Sequence, residues 1–323
     1  MKISLVAEKL KCAVHEALPK ALASSRWLLS IMLPVSFVVM LLNYSGILAV
    51  ISSYLSPAFE MIGLPGESAF VLITSIFTNI YTAIAVITSL ELHGRVVTIL
   101  AVMCLVSHGF MIETSVLKKT GSSVIRMIVL RLGSSFLLGA FLNYILPSDI
   151  SNSISESYLS TQSFKLMFVS WLGSSFALTI KVIVLITILM IFQKILELFG
   201  VIKWIAKVLA PFQIMMGLPV STSFSWIVAN TLGLAYGSAI IMEQVESGQM
   251  SKRDADLLNH HIAISHSELE DPLLFAAIGV SVGWMIIPRL LWAIIVVWMY
   301  KLELVIRKKL TSRKSDIIYI VKP

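Results

Sequence analysis

The stretch LSPAFEMIGLPGESAF at residues 55–70 returns in altered form as LAPFQIMMGLPVSTSF at residues 209–224. Five residues of the first copy have identical counterparts at a constant offset of 154 positions. They are Pro57, Gly63, Leu64, Pro65 and Phe70, which correspond to Pro211, Gly217, Leu218, Pro219 and Phe224. This agreement predicts a chain built from two related halves.

Polar residues supply a second match between the halves, at an offset of 158 positions. Ser107, His108, Glu113, Gly121 and Arg131 correspond to Ser265, His266, Asp271, Gly279 and Arg289. Polar residues are scarce in the surrounding sequence, so we attribute this shared spacing of His, acid and Arg to an internal duplication.

The composition indicates an integral membrane protein. Of 323 residues, 57% are hydrophobic and 13% are charged, and the mean hydropathy is +0.90. A soluble domain is about 45–50% apolar and about 25% charged. Two cysteines exclude a disulfide-rich secreted scaffold. The first apolar run, from Trp27 to about Val50, is longer than the apolar region of a signal peptide.

Eight stretches approach the length of about 20 apolar residues that a helix needs to cross a bilayer. They cover roughly residues 27–50, 67–90, 95–117, 122–146, 167–193, 219–243, 258–287 and 288–306. We therefore expect an all-α integral membrane protein with about eight hydrophobic helical segments in two inverted repeats. The expected divisions are an amphipathic cytoplasmic helix at 1–26, membrane repeats at 27–146 and 166–306, an external linker at 147–165, and a basic cytoplasmic tail at 307–323.

The net charge of +7 is concentrated near the two ends of the chain. Residues 1–26 hold five of the 25 Lys and Arg residues, and residues 301–323 hold seven. Basic tails beside apolar spans indicate cytoplasmic ends that lie against anionic lipid. No recognition motif accompanies the charge, so no nucleic-acid partner is expected. The prediction is a multi-pass protein of the cytoplasmic (inner) membrane with both termini in the cytoplasm.

The loop charges favour an inverted second half. If all eight stretches crossed the membrane, Lys118 and Lys119 would lie outside and the lysine-poor linker would lie inside, against the positive-inside rule. The rule is obeyed if segments 67–90 and 219–243 each enter the membrane and return as re-entrant hairpins. Each half then crosses three times, which inverts the second half, as in many transporters. Ordinary full spans at these two segments are the alternative.

Four motifs resemble the Gate, or nucleoside-recognition, domain family of bacterial and archaeal membrane proteins. They are GLPGESAFVLITSIFTNIYTAIAVI (63–87), SHGFMIETSVLKKTG (107–121), GLPVSTSFSWIVANTLGLAYGSAII (217–241) and ISHSELEDPLLFAAIG (264–279). The resemblance covers roughly residues 27–300 and implies nucleoside binding. Related domains occur in concentrative nucleoside transporters, spore maturation proteins and the membrane part of the ferrous-iron transport GTPase. This chain lacks a P-loop, so a nucleotide-driven pump is not expected.

Two clusters of His, acid and Arg form the first candidate site. Ionisable groups within a membrane span are costly and usually face a partner or a hydrated cavity. Such groups could bind a polar solute or relay a proton, and a fixed ion pair that locks the repeats is the alternative. The candidate residues are His108 and Glu113 with Arg131, and His266, Glu268, Glu270 and Asp271 with Arg289.

Two pairings are expected within these clusters. Arg131 should pair with Glu113, and Arg289 with Asp271 or Glu270, because an Arg–carboxylate pair lowers the cost of burial. The spacing of His266 and Glu270 would place both on one helix face.

Amide and hydroxyl residues at the predicted hairpin tips form the second candidate site. They are Asn79 with Thr78, and Asn230 with Thr231. Helix ends expose free N–H and C=O groups, and an amide offers a donor and an acceptor to a nucleobase or another polar solute. Interhelical hydrogen bonding is the alternative role.

Metal binding and catalysis are weaker interpretations of the sequence. His260, His261, His266, Glu268 and Glu270 could ligate a divalent metal, but the first half has no ligand set of matching spacing, so we predict no metal site and no cofactor. No catalytic motif is present, so we predict no enzyme.

We expect a secondary transporter or permease for a small polar solute, by resemblance a nucleoside, that works by alternating access at the repeat interface. The alternatives are a non-transporting membrane scaffold or accessory subunit, and a metal-ion permease. A homo-oligomer is compatible with all of them.

Overall fold

The structure is a computed structural model that describes residues 2–147 and 163–320. Within these residues the chain forms α-helices and a 3₁₀ turn at Val220–Thr222, without a β-strand. The expected all-α membrane fold is confirmed. Residues 148–162 of the expected external linker lie outside the described residues.

The two halves contain the same succession of helices. The first half has α1 (Lys2–Tyr44), α2 (Ile47–Glu60), α3 (Ser68–Phe77), α4 (Ile80–Ser89), α5 (Gly94–Ser107), α6 (Phe110–Lys119) and α7 (Val124–Ile145). The second half has α8 (Phe164–Leu198), α9 (Val201–Met215), α10 (Ser223–Thr231), α11 (Leu234–Glu246), α12 (Lys252–Ser265), α13 (Asp271–Ala276) and α14 (Val282–Ile320). The duplication predicted from sequence therefore extends to the order of helices.

Within the described residues, four helices are long and apolar enough to cross a membrane. They lie at Val6–Tyr44, Val124–Ile145, Phe164–Leu198 and Val282–Leu310. Helices α5 and α6 form a fifth candidate span, bent by 40° at the break between them. The 22 residues of α7 extend about 33 Å, which matches a bilayer core of about 30 Å.

The first helices of the two halves run antiparallel. Lys9, near the start of α1, donates a hydrogen bond to the carbonyl of Leu198 at the end of α8. At the opposite end of the pair, Tyr44 of α1 packs against Phe164 of α8, with ring centroids 5.1 Å apart. Equivalent helices that run in opposite directions are expected only if one half is inverted.

The last helices of the two halves are also antiparallel. Arg126, near the start of α7, forms an ion pair with Glu303, which lies past the middle of α14. Ser134, further along α7, accepts a hydrogen bond from Trp292, which precedes Glu303 in α14. The inverted repeats predicted from the loop charges are therefore confirmed.

The two segments proposed to be re-entrant are broken near their middles. Thr78 and Asn79 separate α3 from α4, and Leu232 and Gly233 separate α10 from α11. Each arm has between nine and 13 residues, which is at most about 20 Å and too short to cross a bilayer alone.

The arms of the second segment fold back on each other. A Cβ atom added at Gly237 of α11 would lie 2.7 Å from the Cα atom of Ala229 in α10. Glycine at this position therefore permits the close approach of the two backbones.

The boundary expected after residue 26 does not end a helix. Helix α1 continues through Arg26 and Trp27, although Pro19 and Pro34 each remove a backbone hydrogen bond. Small and apolar residues are buried along both parts of the helix, and they pack α1 along α8. They include Ala13, Ala17, Ala21, Leu28 and Met32. This continuous packing, together with the tolerance of membrane helices for proline, explains the difference.

Two further boundaries also differ from expectation. The expected segment 258–287 is divided into the end of α12, the short helix α13 and the start of α14. Gly279, with φ +98°, lies between the last two. Helix α14 then continues past residue 306 to Ile320, so the basic stretch begins inside a helix.

Two helices occupy the centre of the protein. All residues of α5 from Val96 to Ser107 are buried, and so are those of α12 from Leu257 to Ser265. Because His108 and His266 directly follow these helices, the fold places both histidines in the interior.

Candidate functional site

The two central helices end in the same backbone conformation. His108 and His266 are both extended, with ψ values of 161° and 166°. The next residue is left-handed in each case, with φ +55° at Gly109 and φ +52° at Ser267. A Cβ atom makes the left-handed conformation unfavourable. The backbone of Ser267 is therefore strained, whereas that of Gly109, which has no Cβ atom, is not.

Each arginine braces the turn of its own half. The guanidinium of Arg131 in α7 donates to the carbonyl of His108 at 2.6 Å and to the carbonyl two residues earlier at 2.9 Å. Arg289 in α14 repeats this pattern on His266 and the carbonyl two residues earlier, at 2.8 and 3.0 Å. Both guanidiniums are buried. They satisfy carbonyls that would otherwise lack partners at the ends of α5 and α12.

The two turns meet at the carboxylate of Glu113. Its Oε1 atom lies 2.7 Å from His108 Nε2 and 3.2 Å from His266 Nε2. Its Oε2 atom accepts a hydrogen bond from Arg131 at 2.5 Å. The imidazole centroids are 5.2 Å apart. The expected pair of Arg131 with Glu113 is therefore present, and the same carboxylate also joins the two halves.

Both imidazoles are oriented by a backbone carbonyl. Nδ1 of His108 lies 3.0 Å from the carbonyl oxygen of Cys104, and Nδ1 of His266 lies 2.7 Å from that of Ile262. A carbonyl oxygen only accepts, so this network assigns a proton to Nδ1 in both rings. Both Nε2 atoms then face Glu113.

The prediction that Arg289 pairs with Asp271 or Glu270 is wrong. The guanidinium pairs with Glu268 at 3.2 Å rather than with Glu270 or Asp271. Helix α12 has ended before these acids, so the turn decides which carboxylate reaches the arginine. Asp271 lies instead with the first half, 3.8 Å from Nε2 of His108.

His266 and Glu270 do not share a helix face, contrary to expectation. The chain leaves α12 at His266 and turns at the left-handed Ser267, so helical spacing does not apply. Glu270 instead accepts hydrogen bonds from Tyr81 of α4 at 3.1 Å and from Gln193 of α8 at 3.3 Å. The sequence did not single out these two donors, although each is a rare polar group in an apolar helix.

The broken segments contact both turns through their backbones. The N–H of Gly109 donates to the carbonyl of Ser75 at 2.9 Å, and the N–H of Ser267 donates to that of Ala229 at 3.0 Å. The predicted hairpin tips therefore adjoin the His–acid cluster.

The side chains at these tips mostly serve their own helices. Asn79 caps α4 by accepting from the N–H of Thr82 at 3.0 Å. The hydroxyls of Thr78 and Thr231 donate to carbonyls one turn earlier. Asn230 donates through Nδ2 to a carbonyl one turn earlier, and its buried Oδ1 has no partner. Among these four residues, Asn230 thus has an unused group.

His260 and His261 make their own contacts apart from the cluster. His260 stacks on Tyr300 with ring centroids 3.7 Å apart. Nδ1 of His261 accepts a hydrogen bond from Trp226 at 3.1 Å. The group of five ligands considered from the sequence is therefore not assembled.

A second polar contact joins the halves and was not predicted. Asp256 of α12 accepts hydrogen bonds from Ser122 and Tyr300. Asn259, one turn later, donates to Thr120 at 2.8 Å. Polar residues repeated at a spacing of about one turn in α12 were the available signal.

Comparison with known proteins agrees with the motifs. Residues 25–123 match the Gate family, described as nucleoside recognition. The predicted resemblance is therefore confirmed for the first half of the chain, in a range that includes His108 and Glu113. The chain is 28% identical over 272 residues to an uncharacterized membrane protein, YvoD, of Bacillus subtilis (strain 168). This alignment covers 82% of the chain and 86% of the relative. No solved structure matches the chain.

Proposed function

We propose that this chain, whose first half matches the Gate family, is a secondary transporter or permease for a small polar solute. The family's description suggests a nucleoside as the solute. One observation carries the proposal: each inverted repeat contributes a histidine and an acid to one buried cluster at the repeat interface. These residues are His108 and Glu113 from the first repeat, and His266 and Asp271 from the second.

The incomplete pairing of buried polar groups supports a solute site. Among the described residues, Arg131 Nη1, Glu268 Oε1 and Asn230 Oδ1 are buried without a hydrogen-bond partner. Leaving such groups unsatisfied costs about 1–3 kcal/mol each, and more for charged groups. A polar solute that enters the interface would offer the missing donors and acceptors.

The inverted halves supply a physical basis for alternating access. In both halves an arginine holds the His turn by the same hydrogen bonds. Because the halves are alike and inverted, the interface can adopt two related conformations, one open to each side of the membrane. In the proposed cycle, the buried cluster is the closed form, and a relative movement of the halves opens it first to one side and then to the other.

A non-transporting scaffold or accessory subunit is the second candidate. Burial favours it, since His108 is 7% exposed and His266 is 1% exposed. A scaffold should also pair its buried polar groups completely, because nothing enters to satisfy them. Other buried groups of the described residues, such as the hydroxyls of Ser25 and Ser52, are also unpaired. Transport is therefore favoured by the position of the three unpaired atoms named above, which lie in or next to the cluster.

Uptake into proteoliposomes tests the proposal. Purified protein would be reconstituted and offered labelled nucleosides, nucleobases, amino acids and dicarboxylates under an imposed proton or sodium gradient. We expect uptake of at least one solute above empty liposomes, lost in His266→Gln and retained in His15→Gln, a control at an exposed position of α1. Failure of the unmutated protein to move any solute would favour the scaffold.

The proposed orientation has its own test. In a chain without native cysteines, Ser45→Cys should react with an impermeant reagent from outside, as should Ser153→Cys, which lies outside the described residues. Lys119→Cys and Lys203→Cys should react only after permeabilisation, because lysine-rich loops stay in the cytoplasm. External labelling at both lysine positions would contradict cytoplasmic termini.

A further inference from the structure

The two histidines of the cluster present their rings in the same way. Each Nδ1–H bonds to a carbonyl one turn earlier in its own helix, at 3.0 Å for His108 and 2.7 Å for His266. The neutral ring then presents a lone pair on Nε2. Metal-ligating histidines almost always show this arrangement, because the bond at the other nitrogen fixes the tautomer and the ring orientation.

Three acceptor atoms converge between the repeats. Nε2 of His108, Nε2 of His266 and a carboxylate oxygen of Glu113 all lie within 4.8 Å of one another. Lone pairs and an ionised carboxylate repel unless positive charge lies among them. Arg131 offsets part of the carboxylate charge but gives no hydrogen bond to Oε1, since its Nη2 bonds to Oε2. One shared proton would satisfy a single contact, whereas a cation would satisfy all three atoms.

We propose that His108, Glu113 and His266 bind a divalent first-row transition-metal ion at the interface of the two repeats. A tetrahedral ion at about 2.0–2.1 Å from its ligands separates the ligand atoms by about 3.3 Å. Oε1 of Glu113 already lies 2.7 and 3.2 Å from the two nitrogens. The two nitrogens lie within 4.8 Å of each other, so side-chain movements that widen the contacts of Glu113 and draw the two rings together would admit the ion.

The chemistry of the donors selects the class of ion. Two imidazole nitrogens with a carboxylate oxygen suit zinc, ferrous iron, cobalt or nickel. Calcium and magnesium prefer shells made of oxygen alone. The inference goes beyond the proposed transport, because the ion can bind whether or not the protein moves a solute.

Asp271 lies beside the three proposed ligands, outside the group of atoms that are all within 4.8 Å of one another. Its Oδ2 atom lies 3.8 Å from Nε2 of His108, and it occupies the position equivalent to Glu113 in the second half. Each repeat therefore places one histidine and one carboxylate at or beside the proposed site. This matched contribution distinguishes the site from a chance cluster of polar groups within one repeat.

Cobalt binding to the purified full-length chain tests the inference. The protein would be stripped with a chelator in detergent and titrated with Co²⁺ in the absence of solute. We expect saturable binding of about one ion per chain, with the visible absorption bands of a four-coordinate site and displacement by zinc.

Matched substitutions locate the site. Glu113→Gln and His266→Gln should each weaken Co²⁺ binding by more than about 100-fold, since even the loss of outer-shell partners costs about 10–100-fold. His93→Gln alters an exposed histidine at the start of α5 and should bind as the unmutated chain does. Absence of saturable binding, or unchanged binding in both cluster variants, would overturn the inference.

X-ray absorption of the cobalt-loaded unmutated chain decides the matter if a variant fails to fold. Scattering from two imidazole rings would support the site, and a shell of oxygen atoms alone would overturn it. Neither result depends on uptake, so failure of the proposed transport would leave this inference standing.

Discussion

The first turn (residues 107–113) and the second turn (residues 265–271) share a frame but differ in their acids. In both, an extended histidine follows a buried helix, a left-handed residue comes next, and a buried arginine holds the carbonyls. In the first turn, Glu113 lies at the centre of the cluster, where it contacts both histidines. In the second turn, Glu268 pairs with Arg289. Asp271, the equivalent of Glu113, lies farther from His108 than Glu113 does, at 3.8 Å rather than 2.7 Å. The duplicated backbone geometry has thus been kept while the charge arrangement has diverged.

Removing either arginine should have the largest effect, because the frame is common to both turns. Arg131→Met and Arg289→Met each leave a buried carboxylate without its partner, and breaking a buried ion pair costs about 3–5 kcal/mol. We expect similar large losses in the melting temperature of the purified protein in detergent. A much smaller loss for Arg289→Met would show that the two braces are not equivalent.

Substitution of the equivalent acids Glu113 and Asp271 should affect the stability of the protein differently. Glu113→Gln removes the charge that pairs with Arg131 and should destabilise the protein by about 3 kcal/mol, as for other broken buried pairs. Asp271→Asn removes a buried charge whose partner is 3.8 Å away, so we expect a neutral or stabilising effect. Thermal unfolding of both variants measures the difference. Equal losses would place the two acids in equivalent roles.

The left-handed residues should give the smallest effects, of opposite sign. Gly109→Ala has room, since the nearest atom to an added Cβ is the carbonyl oxygen of Thr78 at 3.5 Å. The left-handed backbone should therefore account for a loss of about 1 kcal/mol. Ser267→Gly relieves the same strain at some cost in chain entropy and should gain about 0.5 kcal/mol. The same melting experiment applies, and a loss in Ser267→Gly would mean that its hydroxyl makes a contact of greater value.

Much of the fold was predictable because it depends on patterns that repeat. The offset of 154 residues marks the equivalent turns at Gly63 and Gly217, which both have positive φ values. The offset of 158 marks the equivalent His turns. The continuity of α1 was not predictable from local signals, because Pro19 and Pro34 argue for breaks that packing against α8 overrides.

The candidate site was predictable only within each half. Arg131 and Glu113 could be paired from a spacing that the two halves share. The contact of Glu113 with His266 joins residues 153 positions apart, and no local pattern encodes it. The wrong expectation for Glu270 has a specific cause, since a left-handed serine at 267 ends the helical spacing on which it relied.

The length of α1 creates a mismatch with the lipid. Its 43 residues extend about 65 Å, whereas a bilayer core is about 30 Å thick. Even at a tilt of about 40°, roughly 17 residues would lie outside the core. Yet the exposed apolar side chains of α1 continue into that portion, at Val6, Leu10, Val14, Leu18 and Leu22.

A thin membrane would leave this apolar stripe facing water, and a thick or locally swollen membrane would cover it. Each ångström of mismatch costs a fraction of a kcal/mol, which is enough to sort proteins among membranes of different thickness. We therefore expect longer lipid chains to favour insertion of the first helix, and shorter chains to favour its association with other apolar surfaces.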